Sequence, residues 1–242
     1  MNKLHVGTSG WSYDHWKEVF YPKDLASENY LDFYQKHFDC VELNTSFYHL
    51  PKHQMILDWN EKTEDDFFFC PKVSRYITHQ KKLNDFEEPL RNFLERFRPM
   101  KKKLGLILVQ FPSQIKLDNP NIEKFLSFTR KFWSWKFAVE ARHESWISNR
   151  TKELLQEKKA AWVIANSGGH YPEMKAVIGD TVYLRFHGPG ELYASKYDKK
   201  TLSHYAKKAE KWLSEGKEVW AFFNNDHQGY AVENAKTFRE ML

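Results

Sequence analysis

Eight short apolar runs with β-strand character recur along the chain, at 4–8, 39–44, 67–72, 104–110, 137–142, 162–166, 181–187 and 218–225. Helical periodicity lies between them, at 28–37, 53–62, 86–98, 121–132, 148–158, 201–214 and 230–241, with a further helical piece expected inside 169–177. Strands that alternate with helices are joined by crossovers, and crossovers make parallel sheets. Eight consecutive units of this kind close into a (β/α)₈ TIM barrel, an α/β fold. An open doubly wound sheet is the rival. Its signature, a G-x-G-x-x-G turn after a strand, is missing, because "GTSGW" at 7–11 lacks that spacing. No linker rich in Pro, Gly or Ser divides the 242 residues, so 1–242 reads as one TIM-barrel domain.

A parallel barrel covers its strands on both sides, so polar residues are costly along most of each strand and tolerated at its ends. Here they gather late in the runs: Thr8, Glu42 and Asn44, Lys72, Gln110, Glu140 and Arg142, Asn166, Arg185 and His187. Residues two apart share a face, so Glu42 pairs with Asn44, Glu140 with Arg142, and Arg185 with His187. In this fold the C-terminal strand ends form the mouth, where active sites lie. A purely structural role is open to each residue singly, for example Arg142 paired with Glu140. Several charges buried at one end are harder to explain without a task.

Composition bounds the partners. A hydrophobic fraction of 41% with 29% charged residues suits a globular chain, and no run approaches the roughly 18 apolar residues of a membrane helix. The first strand begins almost at once, so a cytoplasmic location without a secretory segment is expected. The +5 net charge favours an anionic partner only mildly, since much of it lies in pairs and triplets on helix-like segments. Cys40 and Cys70 sit in apolar runs and read as buried thiols.

Seven stretches, "GTSGW" (7–11), "FYP" (20–22), "VELNTSFYHLP" (41–51), "KLGLILVQFP" (103–112), "VEARHESW" (139–146), "RFHG" (185–188) and "FFNND" (222–226), together resemble the YecE-like family of domains of unknown function. The resemblance runs from residue 4 to the C-terminus and implies a TIM barrel; it implies no particular reaction. One departure stands out. Where the resemblance leads one to expect Asp late in the sixth strand, the chain has Asn166, which counts against a metal at the mouth.

Two chemistries fit these residues. Metal-assisted sugar or phosphate chemistry would draw on Glu140 and His187, with Asn166 and Asn224 or Asn225 in the remaining places. That set is poor in anionic oxygen for a divalent cation, so no metal ligand is assigned and the cofactor stays open. Metal-free acid–base catalysis would use Glu140 and His187, with Glu42 assisting; a histidine with an unperturbed pKa of about 6.5 suits proton transfer. Hydrolysis and isomerisation are the reaction types in view. A serine nucleophile finds no G-x-S-x-G support at Ser9, Ser46 or Ser145. The ligand is easier to sketch. Arg142, Arg185 and Lys72 form a candidate anion-binding cluster, Thr8, Asn44, Gln110, Asn166 and Asn225 offer hydrogen bonds, and Trp11, Tyr48 and Trp146 offer faces for a sugar or a base. A small anionic, sugar- or phosphate-bearing ligand is expected. Two other classes stay open, a barrel that processes nucleic acid and a binding module that has lost its catalytic carboxylates, so whether the chain is an enzyme is undecided.

Overall fold

A computed structural model describes residues 3–132 and 134–242. Its eight strands are β1 (Leu4–Thr8), β2 (Cys40–Leu43), β3 (Phe68–Pro71), β4 (Leu106–Phe111), β5 (Lys136–Ala141), β6 (Ala161–Asn166), β7 (Thr181–Phe186) and β8 (Glu218–Phe223). All neighbours pair in parallel, in the order β3-β2-β1-β8-β7-β6-β5-β4. The seam between β3 and β4 is bridged as well: Gly105 N–H donates to Phe69 O at 3.0 Å and Val73 N–H to Leu108 O at 2.8 Å. The sheet therefore closes almost completely, as the eightfold alternation predicts.

Eight helices accompany the strands among the described residues: α1 (Tyr30–Tyr34), α2 (Thr45–Tyr48), α3 (His53–Lys62), α4 (Glu87–Phe97), α5 (Asn121–Arg130), α6 (Asn149–Lys158), α7 (Lys199–Ser214) and α8 (Tyr230–Glu240). In α4 the buried residues are Leu90, Phe93, Leu94 and Phe97, one face of a 3.6-residue period. Burying each such side chain stabilises the fold by about 1.5–3 kcal/mol. Asp198 caps α7 by accepting from Thr201 N at 2.7 Å, and Ser148 caps α6 by accepting from Thr151 N at 3.2 Å.

The helix expected within 169–177 does not form. Residues 167–180 run as an irregular segment from β6 to β7. Gly168 and Gly169 have φ of +61° and +91°, outside the helical region, and a side chain at Gly168 would meet Pro189 O. Pro172 follows them. The segment still covers the sheet: Met174 and Ile178 are buried, and Trp162 Nε1 donates to Met174 O at 2.9 Å. One backbone stretch thus replaces a helix as the outer layer over β6.

The barrel interior changes character from base to mouth. At the base His5 stacks on Trp220 with ring centroids 4.0 Å apart and bonds Asp39 at 2.7 Å. The middle is apolar, with Cys40, Cys70, Leu106, Leu108, Val163 and Phe222 in one cluster separate from the larger strand–helix core. Both cysteines are free and buried, as their apolar surroundings predict. Above them the same inward faces carry charge.

Candidate functional site

Arg185 is the centre of the charged layer. Its Nε donates to Glu42 Oε2 at 2.9 Å and its Nη2 to Glu42 Oε1 at 2.6 Å, while Nη1 donates to Glu140 Oε2. Strand β7 thereby joins β2 and β5 across the barrel. Glu42 accepts two more hydrogen bonds, from Ser9 Oγ at 2.7 Å and Tyr183 OH at 2.9 Å, so four donors satisfy its two oxygens. All three charges are almost wholly buried. Burial alone would lower the Arg185 pKa, but Glu140 and Glu42 hold it well above the ordinary value. Burial likewise would raise the Glu140 carboxyl, and Arg185, His187 and Arg142 together hold it well below the carboxylate range. The layer is a closed ion network: both Glu42 oxygens are engaged, and Arg185 lies buried between the two carboxylates.

His187 completes the layer. Its Nδ1 lies 3.2 Å from Asn224 Nδ2, and its Nε2 lies 3.5 Å from Arg185 Nη1 and 3.7 Å from Glu140 Oε1. Burial first, then Arg185, pushes the His187 pKa down to about 4, against a smaller opposing pull from Glu140, so the ring is neutral at pH 7. Beyond it the chain turns sharply. Gly188 has φ +110°, and a Cβ there would lie 2.7 Å from Glu191 O.

Arg142 and two tyrosines roof this network. Arg142 Nε donates to Glu140 Oε1 at 3.2 Å, Nη1 to Tyr171 OH at 3.0 Å and Nη2 to Tyr193 OH at 3.2 Å, and the guanidinium lies 4.0 Å from the Tyr171 ring centroid. Both tyrosines also stand edge-on to His187. Tyr193 has φ +64°, an uncommon conformation for a bulky side chain, held by its N–H donating to His187 O at 2.6 Å.

Next to this roof opens a cleft of about 490 Å³, lined among others by Tyr48, Lys72, Arg75, Gln110, Arg142 and Asn224. Its size suits a small ligand. The Lys72 ammonium sits 4.0 Å from the Phe47 ring centroid. Burial first, then Arg185, lowers its pKa to about 7, opposed in part by Glu140. His79, on a single π turn at Tyr76–Gln80, lies 3.5 Å from Gln110, and burial followed by Lys72 lowers its pKa to about 4.

The mouth therefore brings together Glu42, Glu140, Arg142, Arg185, His187, Lys72, Gln110, Asn44 and Tyr48. Five other candidates lie elsewhere. Thr8 points outward, where its hydroxyl meets Tyr34 OH at 2.9 Å and donates to Gly10 O at 2.6 Å. Asn166 also faces out, donating to Tyr205 OH at 3.1 Å and accepting from Tyr197 OH at 2.8 Å. An Asp here would not have been a mouth carboxylate. Asn225 is buried against α8, donating to Asn234 Oδ1 at 2.9 Å and Ser195 O at 3.0 Å; its neighbour Asn224 is the one in the mouth. Trp146 is buried in the outer core, where it stacks on Phe111 and donates to Ile115 O at 3.0 Å. Trp11 packs edge-on to Trp59 and lines a second cleft of about 400 Å³, which shares Asn44 with the mouth. Ser9 and Tyr183 are legible as same-face neighbours of Gly7 and Arg185 two residues away. Tyr171 and Tyr193 lie in irregular segments and carry no periodic signal.

The family model described as Protein of unknown function DUF72 matches residues 5–242. The chain belongs to the DUF72 family. Among its relatives, the UPF0759 protein YecE of Escherichia coli K12 is 32% identical over 152 residues, 62% of this chain and 52% of YecE. That match spans about half the length of YecE. The UPF0759 protein YunF of Bacillus subtilis is 26% identical over 99% of this chain and 94% of its own. The crystal structure of a DUF72 family protein from Thermotoga maritima superposes with a TM-score of 0.87 at 30% identity, covering 98% of each chain. A DUF72 family protein from Enterococcus faecalis gives 0.83 at 23% identity, over 99% of this chain and 95% of the other. The resemblance to the YecE-like family and the eight-stranded α/β barrel are both borne out.

Within this DUF72 barrel the donor set does not suit a divalent cation. Among the described residues no group of three or more His, Cys, Asp or Glu side chains is placed to hold a metal. The space between Glu42 and Glu140 is bridged by the Arg185 guanidinium, which takes oxygens from both. No helix among the described residues is long and apolar enough to cross a membrane.

Proposed function

We propose that the mouth cleft binds a small anionic ligand, a carboxylate or phosphate ester with a hydroxylated body, and acts on it by proton transfer. One observation carries this reading: at the strand ends cationic groups line the cleft while the carboxylates lie beneath, already neutralised. Glu42 and Glu140 are matched by Arg185 and Arg142, which leaves the exposed Arg75 as surplus positive charge at the opening, with Lys72 deeper in the same cleft. Arg142 has its Nη groups on two tyrosine hydroxyls, partners that an anion can displace at little cost. Gln110, Asn44 and Asn224 offer neutral donors and acceptors, and Tyr48, 57% exposed, offers a face for a sugar ring.

Glu140 and His187 stand behind Arg142 and Tyr193, so they take part only if the two tyrosines swing aside when the ligand enters. Glu42 is a positioning residue in this reading, since it holds Arg185 and offers no free oxygen. Isomerisation of an anionic sugar fits better than two-carboxylate hydrolysis, because both carboxylates are tied to Arg185.

Titration calorimetry with inorganic phosphate and with sugar phosphates tests this. Arg75→Ala is exposed and safe for the fold, and is expected to weaken binding about 3–10-fold, while Arg142→Gln should cost about 10–100-fold, the range of a charge-assisted hydrogen bond. Unchanged affinity in both variants would rule out the cleft as the anion site. Affinity only for single-stranded oligonucleotides, falling steeply with salt, would point to nucleic acid instead.

A further inference from the structure

We propose that Lys72 is a nucleophilic amine that forms an imine with an aldehyde or ketone carried by the anionic ligand. This rests on the reading of the mouth as a ligand site and names the reacting group within it.

The backbone at Lys72 is fixed on three sides. Its N–H donates to Leu43 O at 3.2 Å, its carbonyl accepts from Ser46 Oγ at 2.7 Å, and it bridges to Leu108 on β4. The side chain shares the inward face with Cys70 and lines the cleft. Residue 72 is 6% exposed, as is Lys103, and the two lysines differ sharply. Lys103 Nζ donates to Asn60 O at 2.7 Å and Thr63 O at 2.5 Å and lies 3.8 Å from Asp65. For Lys72 Nζ no hydrogen bond or ion pair exists among the described residues; its one close partner is the Phe47 ring. A structural buried lysine is satisfied as Lys103 is. One held bare in an aromatic wall, close to other cations, is the arrangement that keeps an amine neutral and reactive.

The charged groups around it agree. Arg185 and Arg142 disfavour the ammonium, Glu140 and Glu42 oppose them more weakly, and His79 is neutral. With a pKa near 7 about half the amine is free at neutral pH, roughly a thousandfold more than for an ordinary lysine of pKa about 10.4. In the reaction the Nζ lone pair attacks the carbonyl carbon and a C–N bond forms. The carbonyl oxygen then leaves as water with the two amine protons, and a C=N bond remains. Nothing is oxidised or reduced. Arg75 and Arg142, which line the same cleft, would hold the ligand's anionic end.

The test uses glyoxylate, an aldehyde bearing a carboxylate, with sodium borohydride to reduce any imine, followed by peptide mapping at pH 7. One dominant adduct at Lys72 is expected, forming at least about tenfold faster than at any other lysine and suppressed by inorganic phosphate. Lys72→Arg should remove that adduct while the variant still unfolds in one cooperative thermal transition, which separates loss of the amine from loss of the fold. Labelling spread over surface lysines, with phosphate still bound, overturns the imine and leaves the anion site standing. Labelling of Lys72 by uncharged propionaldehyde but not glyoxylate, with no phosphate binding, supports the amine and overturns the anion site. Neither label nor phosphate binding overturns both.

Discussion

Arg185 decides whether the barrel mouth holds together, because removing it would leave Glu42 and Glu140 buried without their shared partner. Breaking a buried ion pair on one side costs about 3–5 kcal/mol, so Arg185→Met should lower stability by that order in denaturant titration. A loss under 1 kcal/mol would mean the network is not the structural keystone. Lys72 and His187 make stability depend on pH in one direction. Both folded pKa values are depressed, to about 7 and about 4, so the unfolded chain binds more protons. Stability should therefore rise from pH 7 to about 10.4 through Lys72, and from pH 4 to about 6.5 through His187. Lys72→Met should flatten the upper rise. Glu140 acts in the same sense at lower pH: its folded pKa is depressed, so the stability it lends is present above about 4.3 and is lost as pH falls towards its folded value. The charges themselves were legible in the sequence, as late polar residues on apolar runs. Their division of labour was not, since Glu42 looks as free as Glu140 until Ser9, Tyr183 and Arg185 are seen to saturate it.

At the scale of the element, the strand and helix pattern reads well because buried parallel strands are near-continuous apolar runs and their helices have one apolar face. The β6–β7 segment reads badly. Met174 and Ile178 supply apolar residues at a helical-looking spacing, but with Gly168, Gly169 and Pro172 ahead of them the chain takes an irregular path that buries them just as well. Which face a strand-end residue takes depends on register, and a one-residue difference reverses it. Asn166 and Thr8 show this, ending strands whose inward residues are Ala165 and Gly7, with Ser9 turned in beyond them. Asn166→Ala should consequently loosen the contact with Tyr197 and Tyr205, costing about 1–3 kcal/mol, and leave phosphate affinity within about twofold. A large drop in affinity with unchanged stability would return Asn166 to the mouth.

Across the whole molecule, the inward faces run from a stacked His5–Trp220 base through an apolar middle to a charged top, so the strand ends that close the core also present the polar groups. The fold follows from the repeat of units along the chain, and the cleft from loops that carry no repeat. Tyr171 and Tyr193, which roof Arg142, come from two such loops. The +5 net charge is spread over helix surfaces as well as the mouth, so a compact anion in the cleft should show only a shallow salt dependence.

The most direct test of an anion site at the strand ends is a crystal soaked in tungstate, with the anomalous signal used to locate the metal oxyanion. Density in the mouth cleft within hydrogen-bond reach of Arg142, Arg75 or Lys72, lost in Arg142→Gln crystals, is the expected result. Tungstate bound only at helix surfaces, with the mouth cleft empty at saturating concentration, would contradict it.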